Sequence, residues 1–220
     1  FQARSHIVAE TVMQLVPSNI FRRVLSRFHK NIPIFRIVSY HIFKKTAYDK
    51  DFFLKAYPDW EEGKQFYESL YNRDNDYYIL QQGALYLASK RKFPEAFDWI
   101  DLAIQESEGK IFSIKNTHAI ILFEANIYEY SNDAIVKQNL DKSMNMLSDC
   151  YRIDRRKYYH ARIFAVQAIA YNKRYNDSIS KEYLNIAKER LTKELTGQPY
   201  FKHKRMRELQ KEVTDLINAG

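Results

Sequence analysis

Apolar residues recur at helical spacing along almost the whole chain. Ile7, Val8, Val12 and Leu15 make a first stripe, and Pro17 stops it. Ser18 or Asn19 can cap the next, NIFRRVLSRFHKNI, which ends before Pro33. IFRIVSYHIFKK follows, with Pro33 placed to open it. Asp49 precedes KDFFLKAY, which breaks at Pro58, and Asp59 can cap WEEGKQFYESLYNR.

From about residue 73 the stripes come in pairs with short polar joints. NDYYILQQGALYLASK and FPEAFDWIDLAIQES flank a basic turn at 90–92. SIKNTHAIILFEANIYEY and DAIVKQNLDKSMNMLSDCY meet near Ser131-Asn132. RKYYHARIFAVQAIAYNKRY and SISKEYLNIAKERLTKEL meet near Asn176-Asp177-Ser178. Gly197 and Pro199 end the series, and a last helix spans 203–218. Strand alternation and Asn-Gly turns are missing, so an all-α fold is predicted.

In the first pair, Leu80, Ala84 and Leu87 are followed by Phe93, Ala96, Ile100 and Ala103. Small Ala84, Ala96 and Ala103 let two helices approach, while Leu87, Phe93 and Ile100 fill the space to the next pair. This spacing resembles the tetratricopeptide repeat, a helix-turn-helix unit of about 34 residues. Gly83 departs from that pattern, standing one residue early. The 0, +4, +7 pattern returns as Leu140, Met144, Leu147 and as Ser180, Leu184, Ala187, at intervals of 44 and 40 residues. Any antiparallel bundle places apolar residues at such spacings, but three consecutive pairs favour a stack in which neighbours cover each other's apolar faces. The expected architecture is therefore antiparallel helix pairs stacked as a short, irregular TPR-like superhelix. A basic helical segment at 1–72 precedes repeats at 73–195, and a capping helix follows at 196–220.

A second resemblance rests on ARSHIVAETV at 3–12, YYILQQGALYLASKRKFPEAFDWIDLAI and FSIKNTHAIILFEANI. Their order is similar to the C-terminal helical regions of bacterial STAND-type P-loop NTPases, several of them antiviral. That resemblance implies a sensor region that binds a viral or other ligand. The chain has no GxxxxGK[ST] motif, so any ATPase or effector activity would lie outside it. The start at Phe1, with no Met and no signal layout, reads as the middle of a helix in a longer protein.

Composition narrows the classes. Hydrophobic residues make up 45% and charged ones 28% of 220, as in a globular protein, and five Gly with five Pro suit long helices. Seventeen Tyr and fourteen Phe suit aromatic packing at helix contacts. One cysteine, Cys150, rules out an internal disulfide and makes a reducing, cytoplasmic location the default. No apolar run approaches the ~20 residues of a membrane span, so no membrane partner is expected. The net charge of +8 is concentrated early: residues 1–50 hold nine Lys/Arg against Glu10 and Asp49.

Catalytic chemistry finds no foothold. His6, His29, His41, His118, His160 and His203 are scattered without a metal-binding spacing, and Cys150 has no His beside it in sequence. Asp98 and Asp101 read as a solvated face, and Trp99 as packing rather than a cofactor box. The expectation is a non-catalytic module with no cofactor and no metal, binding a protein or peptide through its first helices. Tyr78, Gln81, Asn116, Phe123, Tyr159, Arg162 and Lys173 flank the small packing residues and are the expected contacts. A nucleic-acid partner ranks second, held by Arg22, Arg23, Arg27 and Lys30.

Overall fold

The structure, a computed structural model, describes residues 15–130, 133–196 and 203–219, with only the backbone of Asp51. Ile7, Val8 and Val12, the joint at Ser131-Asn132 and the stop at Gly197 and Pro199 lie outside the described residues. Among the described residues there are eleven helices and no strand. The fold is all-α, with consecutive helices packed as pairs. Two compact units divide the chain, Phe1–Glu108 and Gly109–Gly220. That boundary falls inside the 73–195 segment, after its first helix pair.

The first unit contains α1 (Ser18–Asn31), α2 (Ile37–Ala47), α3 (Lys50–Ala56), α4 (Trp60–Arg73), α5 (Tyr77–Ser89) and α6 (Phe93–Glu106). Asp59 caps α4 by accepting the Glu62 N–H at 3.0 Å, and Asp76 caps α5 through the Tyr78 N–H at 2.9 Å. Two sequence expectations shift. α1 starts directly after Pro17 without a side-chain cap, and Asn19 takes the Ile20 N–H instead. Pro33 lies in the turn ahead of α2, which opens only at Ile37.

α5 packs on α6, and Ala84, Ala96, Ile100 and Ala103 of this pair are fully buried. A methyl group at Gly83 would collide with the Trp99 ring. The early glycine is thus the seat of the indole, and the departure from the repeat pattern has a steric cause. Below this pair lies another. Tyr48 bonds Asp76 at the start of α5, 28 residues on, and the Tyr86 hydroxyl near its end donates to the Tyr57 carbonyl, 29 residues back. Start meets start and end meets end, so α3 and α5 run parallel and α3–α4 stacks under α5–α6. Pairing therefore begins before residue 73. Rings fill the space: Phe53 stacks on Tyr67 at 4.1 Å, and Tyr57 on Phe66 at 4.9 Å.

The second unit contains α7 (Phe112–Asn126), α8 (Asp133–Ile153), α9 (Lys157–Tyr175), α10 (Ser178–Leu195) and α11 (Lys204–Asn218). Asp177 caps α10 through the Ser180 N–H at 2.8 Å, behind a left-handed Asn176 (φ 46°). α7 and α9 run parallel, bridged by Asn116–His160 at their starts and by Arg174 on the Asn126 carbonyl at their ends. α8 and α10 are parallel too, through Lys137–Asp177, Asp141–Tyr183 and Tyr151–Glu194. These bridges join positions 40 to 48 residues apart. Leu140, Met144, Leu147, Ser180, Leu184 and Ala187, the predicted recurrence, are all buried. Fully buried Phe123, Phe164 and Leu191 join that core, each worth about 1.5–3 kcal/mol of transfer free energy. α11 lies along α9, with Tyr158 near His203 (4.8 Å) and Lys173 on Glu212 (2.9 Å), where the first helix of a further pair would stand.

Candidate functional site

Stacking buries α9 almost all round. Ala161, Phe164, Ala165, Ala168 and Tyr171 face the core. One stripe that keeps some exposure and includes both exposed positions is Tyr159, Arg162, Val166 and Lys173, at i, i+3, i+7 and i+14 of a helix with 3.6 residues per turn. Val166 and Lys173 are exposed, while Tyr159 and Arg162 are half-buried. The guanidinium groups of Arg156 and Arg162 each lie 5.9 Å from the centroid of the Tyr159 ring. Burial raises the pKa of its hydroxyl, which stays protonated as a donor. The stripe thus offers an aromatic ring, cations and an aliphatic side chain on a rigid rod.

Polar contacts fix that rod at both ends. His160, buried, meets Asn116 Oδ1 through Nδ1 and Asp154 Oδ2 through Nε2, both at 2.9 Å. The Arg156 guanidinium beside Asp154 holds its carboxyl well below the usual carboxylate range, with His160 adding to the effect. At the far end Arg174 donates to the carbonyls of Asn126 (2.8 Å) and Ile127 (2.7 Å), satisfying the last turn of α7. Its guanidinium also lies 4.6 Å from the Tyr130 ring.

Of the seven expected contacts, Tyr78, Tyr159, Arg162 and Lys173 reach the surface, Tyr78 in the first unit and the others in the second. The other three do not line an open face. Gln81 is buried, Asn116 is fully buried against His160, and Phe123 is fully buried in the core. One helical residue is a rotation of about 100°, and each of these positions sits one step from the outward side. On α7 Glu124 is exposed and Ser113 and Ile120 are half-buried; on α5 Tyr78, Gln82 and Leu85 are half-buried. Tyr78 leans on Tyr48 at 5.6 Å. Val166 is not among the expected contacts, yet it lies seven residues from Tyr159 and so shares its side of the helix.

On α1, Arg23, Arg27 and Lys30 are exposed, whereas Arg22 is half-buried and paired with Glu62. Cys150 is buried, its Sγ 3.7 Å from the Phe112 carbonyl, and burial pushes its thiol up to about 11. Among the described residues no cluster of His, Cys, Asp and Glu could hold a metal ion, and no helix is long and apolar enough to cross a membrane. No family model, curated protein or solved structure matches the chain.

Proposed function

We propose that the chain is a helical-repeat interaction module that captures an acidic peptide segment of a partner protein on the open side of α9. The supporting observation is the stripe Tyr159–Arg162–Val166–Lys173, held rigid by contacts at both ends of the helix. A rod fixed before binding loses little conformational entropy when a partner arrives, and Tyr and Arg are the side chains that most often dominate such contacts. The order of sequence segments supports a narrower reading, the ligand-sensing arm of a bacterial antiviral NTPase. That reading fails if the parent gene encodes no phosphate-binding loop upstream of Phe1.

Panning a random peptide library tests the module itself. The wild-type chain should enrich acidic peptides that an Arg162→Glu/Lys173→Glu double variant, with an unchanged melting temperature, does not retain. Enrichment equal on both proteins would sink the assignment of this face.

A further inference from the structure

Exposed large apolar side chains gather at the start of the first unit. Ile20 and Val24 stand out from α1, and Phe35, Ile37, Val38 and Ile42 from the turn before α2 and from α2 itself. Phe35 is 82%, Ile37 89% and Val38 72% exposed, so these side chains rest on almost nothing. α2 buries Phe43 and Ala47 on one side and turns Ile37, Val38, His41, Ile42 and Lys45 outward. The segment itself carries one sign of charge: residues 15–48 include seven Lys/Arg and no Asp or Glu, and of these Arg22 and Lys44 pair with Glu62 and Asp76 from later in the chain.

The start of α2 adds an anion-binding element. Arg36 occupies the cap position without a side-chain cap, and the first turn holds no acid. The opening N–H groups of a helix, with the positive end of its dipole, attract phosphate and carboxylate. Arg36 itself sits 5.7 Å from the Phe35 ring. Within residues 35–38, then, uncovered apolar groups, a guanidinium and an uncapped helix start converge.

We propose that this face, Phe35 to Lys45, rests on an anionic phospholipid surface. A bilayer interface presents acyl chains and phosphates together in one continuous plane, which is what the juxtaposition requires. Arg27, Lys30 and Lys45 are exposed near it in sequence and add attraction to the charged headgroups. Nucleic acid supplies phosphate but no apolar phase for Ile37 and Val38. That no helix among the described residues is long and apolar enough to cross a membrane does not bear on this contact, because the face lies on the membrane and does not cross it. The inference does not depend on the α9 stripe.

The test is sedimentation of the full 220-residue chain with phosphatidylcholine vesicles, with and without phosphatidylglycerol. Wild type should pellet only with the anionic vesicles. A Phe35→Ser/Ile37→Ser/Val38→Ser variant, unchanged in charge, should bind at least about tenfold more weakly, and Ile37→Ser alone should show part of that loss. Circular dichroism melts check that both variants fold, as substitution of exposed side chains predicts. No pelleting with anionic vesicles would overturn the proposal. So would a triple variant that binds as tightly as wild type, since charge alone would then explain adsorption. A DNA duplex that both proteins bind equally, and that strips wild type from vesicles, would assign the face to nucleic acid.

Discussion

The two units stack helix pairs by different means. In the first, bridged positions are 28 and 29 residues apart, and the space between pairs is filled by rings from His29 through Phe53, Tyr67 and Tyr86 to Trp99. In the second the separation is 40 to 48 residues, the core is mostly aliphatic and small, and polar contacts latch both ends of α9. A stack therefore does not need a constant period. It needs parallel first helices matched at both ends, and aromatic or polar side chains can do the matching.

The sharpest way to break this comparison is Tyr86→Ala. Tyr86 is fully buried, stands 5.7 Å from Tyr67, and its hydroxyl serves the carbonyls of Tyr57 and Asp59. Removing the ring should cost about 3–5 kcal/mol. Hydrogen exchange should speed up in α5 while α9 amides keep their protection. Equal loss in both helices would mean the units are not separately held.

Next comes pH, which should act on the aromatic unit through His29. Its ring touches Phe43, Phe53 and Phe66, and it can donate through Nδ1 to the Leu25 carbonyl while Nε2 accepts from Thr46. Burial, aided by the charge of Arg73, lowers its pKa from 6.5 to about 4. The unfolded chain therefore takes up this proton first. Stability from the neutral ring is complete above pH 6.5 and is lost as the pH falls toward 4, by about 3 kcal/mol in all. Urea melts across that window should show the slope in wild type and a reduced slope in His29→Phe. An unchanged slope would exclude His29 as its source.

Much of this fold is readable in the sequence, and the failures share a cause. Asp59 caps the helix expected of it, the joints at 90–92 and near Asn176-Asp177-Ser178 fall where polar residues replace apolar ones, and small Ala96 and Ala103 are buried where two helices approach. Those signals are local, or lie on helices with one polar side. α5, α7 and α9 are pressed from several sides, and their apolar residues mark no single direction. For that reason Gln81, Asn116 and Phe123, surface contacts by their sequence spacing, lie beneath the surface. The α3–α4 pair was hidden for another reason: α3 has only seven residues, too few to show a period.

On the polar side, His160→Ala should cost the second unit about 2 kcal/mol, because Asn116 then stays buried without its partner at Oδ1. The loss should appear as faster exchange at the start of α9, with the first unit unaffected. Asp154 keeps Arg156 in the variant, so the cost should not reach that of an abandoned buried charge.

The smallest effect belongs to Lys173, and its smallness is informative. Its pair with Glu212 is well exposed, with side-chain exposures of 60% and 45%, so solvent screens the attraction and both side chains lose freedom in forming it. Lys173→Ala should change stability by less than about 0.5 kcal/mol in a chemical melt. The same substitution removes a cation from the α9 stripe without touching the latches at His160 and Arg174. A larger fall in stability would make Lys173 a clamp between α9 and α11, and charge reversal there could no longer separate binding from folding. A negligible fall, joined to loss of acidic peptides, would place Lys173 in recognition and leave the stacking of the second unit to its core and its two buried latches.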